Sequence, residues 1–399
     1  MLLFSNYCKG GATVFFMNNM FNGKRLKEAR IYRGMTLEDL AEEVGYTEQT
    51  LSRYELDGNP PRIDAIQKIS RVLDFPLKFF FEEDGETTSR TVCFQNLSTI
   101  TRKKYRTEQN AKMNIILQIY LMLQDYIQFP EYVMPDFSEY TTPEEAAYAL
   151  RDAWGLGRSS IDNLITIVEQ HGILVTSFSN MDTFSGLIKI DDASTFIVAY
   201  SKNETSAARI HYDIAYGLGL IFLHNWDEYT DDLTHEEIKQ REREAHEFAD
   251  AFLLPATSFK RDAISGNPTR KSLEYYQKLE EKWKVPVGLM FYRAKKLGII
   301  DWKRPHALVA RGMWTHSLSG QDYESLDDTL LTADPALLKT AVMMLLQENV
   351  FTPVEFMKEL SDQYDLSINP AEVENLLDLP RGTLSTSKVI DFKHVLKLK

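Results

Sequence analysis

The stretch Arg209-Ile-His-Tyr-Asp-Ile-Ala-Tyr-Gly-Leu-Gly-Leu-Ile-Phe-Leu-His224 has no acidic side chain, lysine or arginine after Asp213. A helix that is apolar on every face needs protein around its whole girth, and Ile214, Leu218 and Ile221 are its natural core positions. The run falls short of the ~20 apolar residues that a membrane-spanning helix takes. The chain must therefore build a folded body around it. Its 399 residues, 44% of them hydrophobic, suffice for two or more cores, because single cores rarely outgrow ~250–300 residues. Cys8 and Cys93 are too few for a disulfide framework and no CxxC pair is present, which fits a reducing cytoplasm. The start lacks a basic region followed by a long apolar one, so neither secretion nor membrane insertion is expected.

A formal charge of −13 excludes a protein that coats nucleic acid by charge alone, since non-specific affinity comes from cations meeting phosphates. Any DNA binding must be local. Residues 1–16 show neither helical nor strand periodicity. Lys9-Gly10-Gly11 is what a ribosome-binding site spells when translated, and Val14 is what a GUG start spells. Residues 1–20 are therefore set apart as disordered or untranslated leader.

Five short helical patterns fill residues 22–84. Leu26, Ala29 and Ile31 start the first and Gly34 closes it. Thr36 caps the second, whose Leu37, Leu40, Ala41 and Val44 repeat at i, i+3, i+4, i+7. Gly45 permits the left-handed backbone of a sharp corner between helices, and Thr47 caps a third helix with Leu51 and Tyr54. A fourth is expected to bury Ile63, Ile66, Ile69 and Val72. Pro76 opens a fifth with Phe79, Phe80 and Phe81.

Met35-Thr-Leu-Glu-Asp-Leu-Ala-Glu-Glu-Val-Gly-Tyr-Thr-Glu-Gln-Thr-Leu-Ser-Arg-Tyr-Glu-Leu-Asp-Gly58 resembles the phage-repressor (XRE/Cro) helix-turn-helix family. The resemblance implies a five-helix DNA-binding domain over 21–84, with the second helix of the pair in the major groove. Thr47, Glu48, Gln49, Thr50, Ser52 and Arg53 then lie nearest double-stranded DNA. Gln49 suits an adenine edge, Glu48 a cytosine amino group, Thr50 and Ser52 phosphate or bases, and Arg53 a phosphate. Lys24, Arg25, Lys27, Arg30 and Arg33 on the first helix are further phosphate partners. The family often carries a phosphate-gripping glutamine where this chain has Leu37. The opposing reading is a helical dimerisation module that no longer binds DNA.

A linker is expected over 85–106, with a basic cluster of Arg102, Lys103, Lys104 and Arg106. A long helix follows, and Thr142-Pro143-Glu144-Glu145 is a strong helix start. Segments 173–178, 186–190 and 194–200 read as strands rich in branched and aromatic residues. From about 94 to past 314 the chain resembles the ImmA/IrrE-type metallopeptidases. The segments that carry this are 144–157, 169–175, 209–224, Glu244-Ala-His-Glu-Phe-Ala-Asp-Ala-Phe-Leu-Leu-Pro255, 291–298 and Ala310-Arg-Gly312. Active relatives hold zinc with a His-Glu-x-x-His helix and a glutamate from the next long helix. By position, the first ligand falls on Tyr216, the general base on Gly217 and the second ligand on Leu220, while Glu244 keeps the third. One carboxylate cannot hold a catalytic zinc. His211, His224 and His246 are read as surface or hydrogen-bonded core histidines, and Asp227, Glu228, Asp231 and Asp232 as a solvated acidic turn.

The expected architecture is mainly α (α+β). Residues 21–84 form the repressor-like head, 85–106 the linker, 107–318 a zincin-like pseudo-peptidase domain with a small sheet, and 319–399 a helical C-terminal domain. The expected function is a cytoplasmic, DNA-binding transcriptional regulator, dimeric by analogy, with no enzyme activity, metal or other cofactor. A protein or peptide partner is expected at the vestigial cleft. A protein-binding antitoxin or defence component and a metallopeptidase with a rearranged site are the alternatives.

Overall fold

The computed structural model describes residues 20–56, 58, 60–83, 89–94, 100–135, 140–178, 186–190, 195–202, 206–224, 234–264, 273–299 and 332–385. The expected leader up to residue 19, the acidic turn at 227–232 and the 310–312 match lie outside them, as do the side chains of the 102–106 basic cluster. Packing divides the chain into two units, Met1–Thr87 with Lys103–Tyr126 and Val342–Lys399, and Thr88–Arg102 with Ile127–Ala341.

In the first unit, α1 (Gly23–Tyr32) is capped by Asn22, and α2 (Leu37–Val44) starts on a reciprocal box between Thr36 and Asp39. Gly45 ends α2 in the left-handed conformation at φ 72° and Thr47 caps α3 (Glu48–Glu55). These three signals act as their residue types require. In α4 (Ile63–Leu73) the buried face is Ala65, Ile66, Ile69 and Leu73. Ile63, expected inside, is 58% exposed, and Val72 is only partly buried. The buried stripe runs i, i+3, i+7 from Ile66, which puts the first turn's Ile63 outside it.

The expected fifth helix is instead a 3-10 turn, Leu77–Phe81. It closes through Phe79 N–H to the Pro76 carbonyl at 3.0 Å, with Phe79 and Phe80 buried.

The span read as a linker contains described elements. Strand β1 (Ser89–Phe94) and the first turns of α5 (Ile100–Gln124) fall inside it. Its polar side chains hide a strand that is stabilised by ladder bonds to β3 rather than by its own pattern. The helices Leu337–Gln347, Pro353–Gln363 and Pro370–Leu376 occupy the three places expected for C-terminal helices. The latter two belong with the helix-turn-helix head rather than to a domain of their own. Glu372 accepts from Tyr32 Oη at 2.6 Å and from Arg33 Nη1 at 2.8 Å, and Lys78 Nζ meets Asp362 at 2.5 Å. Contacts between residues so far apart in sequence leave no trace in local periodicity.

The second unit holds a four-stranded sheet in the order β1-β3-β4-β2, made of β1, β2 (Leu174–Phe178), β3 (Gly186–Ile190) and β4 (Thr195–Ser201). β2 runs parallel to β4 with Leu174 beside Ile197, and β3 runs antiparallel to both β4 and β1. Helices α6 (Pro143–Ala153), α7 (Leu164–Gln170), α8 (Ala207–Leu223) and α9 (His235–Leu253) pack with the sheet around one core. α10 (Ala256–Ile264), α11 (Leu273–Trp283) and α12 (Val287–Lys296) extend it. The described helices include none long and apolar enough to cross a membrane.

Candidate functional site

Two places carry the chemistry expected from the sequence. The first is α3. Leu51 is fully buried, and Glu55 points inward to a bidentate ion pair with Arg30 of α1, Nε to Oε1 at 2.6 Å and Nη2 to Oε2 at 2.9 Å. That pair fixes which face of α3 turns outward. Thr47, Glu48, Gln49 and Arg53 are exposed there, with Thr50 and Ser52 half-buried. Thr47 is engaged in the fold, since its hydroxyl oxygen accepts from the Thr50 amide at 3.2 Å and lies 2.8 Å from the Thr50 hydroxyl.

Three of the five α1 cations expected at phosphates face inward instead. Arg30 pairs with Glu55, Arg25 is buried and donates to the Glu83 and Asp365 carbonyls, and Arg33 binds Glu372 and the Leu73 carbonyl. Lys24 and Lys27 are exposed. A basic side chain on a helix reads the same in sequence whether its partner is a phosphate or a distant carboxylate.

The second place is the α8–α9 contact. Tyr216 is 1% exposed and its ring lies 4.6 Å from that of His246, while Leu220 is 7% exposed. Both positions expected from the sequence as vestigial ligands, and Gly217, thus face protein rather than an open cleft. Glu244 is half-buried, with Oε2 3.8 Å from His224 Nδ1 and Oε1 accepting from Gln240. His211 is buried, with Nε2 3.1 Å from the Thr332 hydroxyl. The structure does not bring His211, His224 and His246 into one ligand set. Among the described residues no group of three or more histidine, cysteine, aspartate or glutamate side chains is placed to hold a metal. A phenol, a leucine and a glycine beside a single carboxylate do not fit zinc.

Residues 26–80 match the family model described as Helix-turn-helix, and residues 168–295 match that of the IrrE N-terminal-like domain. The chain joins a helix-turn-helix domain to an IrrE-like domain. Over 61 residues, 15% of this chain, it is 38% identical to uncharacterised HTH-type transcriptional regulators of Sinorhizobium medicae and Rhizobium meliloti. That stretch covers 44% of each relative, so the chain spans less than half the length of the curated relatives it matches.

Several of the motifs that match the IrrE-like domain have structural work to do in this fold. Arg293 is fully buried and grips Glu144 through Nη1 at 3.1 Å and Nη2 at 2.6 Å. Desolvation pushes the Glu144 carboxyl up, but the hydrogen bonds from Arg293 and Tyr148 and the charges of Arg293 and Lys296 together outweigh it and hold the group below its usual range. Tyr148 donates to the same carboxylate at 2.6 Å and accepts from the Ala256 amide at 2.9 Å. Arg151, also fully buried, donates to the Gly157, Phe252 and Ser159 carbonyls. These contacts tie α6, α12 and the end of α9 together whether or not a metal binds.

Beside Tyr216 lies a cluster of which the sequence reading named only His246. Tyr212 Oη is 3.0 Å from His246 Nδ1, and the buried Asp250 lies one turn further along α9. Burial pulls His246 down to about 4 and pushes Asp250 up to about 7. Their spacing on α8 and α9, 212 one turn before 216 and 246 one turn before 250, is the signal that would have found them.

Proposed function

We propose that the protein is a sequence-specific DNA-binding transcriptional regulator, acting as a homodimer in the cytoplasm. Its IrrE-like body would be a catalytically inactive peptidase scaffold that binds a protein or peptide partner. The observation that carries the reading is a contrast between two helices. On α3 the polar side chains stand outward and on α8 the ligand positions are filled and buried. In the major groove, Gln49 would present its amide to an adenine edge and Glu48 would accept from a cytosine amino group. Thr47 would hold the first turn of α3 in shape, and a second copy would read the other half-site. In the body, Tyr216 and Leu220 replace polar ligands with groups that fill space, leaving packing and partner contact as its work.

Two measurements on the full-length chain test this. Selection of duplexes from a random pool should enrich one motif, and Gln49→Ala should cost about 1–3 kcal/mol at one base pair per half-site. No enrichment at moderate salt overturns the regulator reading. Elemental analysis should find no stoichiometric zinc, iron or manganese. Metal that copurifies and is lost in Glu244→Ala overturns the inactive body.

A further inference from the structure

The helix Leu337–Gln347 (α13) ends, and Pro353–Gln363 (α14) runs, in the unit that contains α3. Asn349, left-handed at φ 57°, stops α13, and the Val350 and Phe351 amides both donate to the Leu345 carbonyl, at 2.9 and 3.3 Å. Thr352 and Glu355 then open α14 with a reciprocal capping box. The turn is fixed at both ends, so the side chains it displays are held in place. Val342, Leu345, Phe356 and Leu360 face inward, whereas Met344 and Val350 are each 50% exposed and Val354 57%. The exposed Tyr126 borders them, its ring 4.8 Å from that of Phe351. Apolar side chains gathered on one exposed turn mark a contact surface, unlike single ones scattered over a molecule.

Charge decides what covers it. Glu348 stands one turn after Met344 and Lys358 one turn after Val354, both exposed, and among the described residues neither has an ion-pair partner. The other acids of α14 are engaged: Glu355 accepts from the Thr352 amide at 2.9 Å and hydroxyl at 2.8 Å, Glu359 accepts from Tyr126, and Asp362 pairs with Lys78. The strip thus runs from an unpaired carboxylate through apolar side chains to an unpaired ammonium. Such a strip is its own complement when two copies meet antiparallel about a two-fold axis, whereas a partner surface of single sign matches only one end. At a net charge of −13 two copies repel over most of their surface, so a contact between them needs a place with matched charges.

We propose that this strip is where two copies of the chain join, Glu348 of each against Lys358 of the other, with Met344, Val350 and Val354 packed between. The inference rests on the homodimer in the reading above and names its surface. It joins the copies through the unit that carries α3, the part that reads each half-site. So few side chains make a dissociable contact rather than a permanent one.

Sedimentation equilibrium of the full-length chain, free and with the duplex it selects from a random pool, tests the surface. Val354→Asp puts an acid in the first turn of α14, where the helix dipole favours it, so the fold is kept while self-association weakens by at least about tenfold. Glu348→Lys and Lys358→Glu each set like charges together across the axis and should weaken it by a similar factor. Mixed in equal amounts, these two variants should recover a heterodimer about as tight as wild type, because each then meets its opposite. A loss of folding gives no such recovery. If wild type is a dimer and the three variants are equally tight dimers, or if the mixture recovers nothing, this inference is overturned and the homodimer stands on another surface. If wild type stays monomeric both free and on the selected duplex, the homodimer and its surface fall together.

Discussion

Gly219 sits where α8 and α9 come closest. A Cβ built there would lie 2.9 Å from both Cα and the carbonyl oxygen of Ala245 and 3.2 Å from Phe248 Cβ. Those are mostly backbone atoms, which cannot rotate away. Alanine in place of glycine normally favours a helix by up to ~1 kcal/mol, whereas overpacking a core costs ~1–3 kcal/mol. The clash decides the sign, so Gly219→Ala should lower stability by about 2 kcal/mol. In urea the midpoint should fall with an unchanged slope, and a midpoint at or above wild type would refute the close contact. Sequence alone exposed half of this neighbourhood. That Tyr216 and Leu220 are not ligand-type residues is legible because side-chain chemistry is local, and both are buried. The need for Gly219 is not legible, because its partner is on another helix. For the same reason Arg25, Arg30 and Arg33 read as solvent-facing cations when their partners are Glu83, Glu55 and Glu372.

Elements with their own start and stop signals are read correctly, as Thr36, Gly45, Thr47 and Thr142 show at helix ends. Those that depend on a neighbour are not. β1 exists through its antiparallel pairing with β3, and the 77–81 segment is a 3-10 turn followed by Glu82, whose carboxylate accepts the distant Ser367 amide. Between α8 and its neighbours, burial rather than pattern sets the charge states. Desolvation, with Lys284 second, pulls His211 down to about 4. Because the folded form keeps this histidine neutral while the unfolded chain binds a proton below ~6.5, its contribution is present above ~6.5 and is lost as pH falls towards 4. That contribution is on the order of 3 kcal/mol. His246 tilts stability the same way. Asp250 does the opposite, since a carboxyl raised to about 7 stabilises the fold below ~3.9 and loses that contribution as pH rises through 7. Asp250 and His246 therefore largely cancel, and wild-type stability should climb from pH 5 to 7 mainly through His211. Asp250→Asn removes the opposing slope, so its melting temperature should climb more steeply over that interval, while His211→Gln should flatten the climb. Parallel pH profiles for all three proteins would refute these assignments.

At the scale of the whole molecule, the helix-turn-helix head is completed by chain from the other end of the sequence. Asn369 donates to Asp74, Ser367 to Glu82, and Arg25 to the Asp365 carbonyl, around the central contact of Glu372 with Tyr32 and Arg33. Burial and the Glu372 charge together push the Tyr32 phenol well above its ordinary range, so its proton stays on the donor side of that bond. Hydrogen bonds to charged groups contribute ~1.5–3 kcal/mol each, and Glu372→Ala takes the acceptor from the Tyr32 hydroxyl and from Arg33 Nη1, leaving Arg33 its bond to the Leu73 carbonyl. The expected loss is about 3 kcal/mol from the unit that contains α3. If 353–376 is part of the head, amide exchange should accelerate in α1 as well as in the C-terminal helices. Were residues 319–399 an independent domain, exchange would rise in the C-terminal helices alone and α1 would keep its wild-type protection. The same variant then reports on DNA recognition. α1 holds α3 in place through Arg30 and Glu55, so loosening α1 should weaken the selected duplex and a scrambled one by similar factors. Gln49→Ala should instead weaken the selected duplex alone.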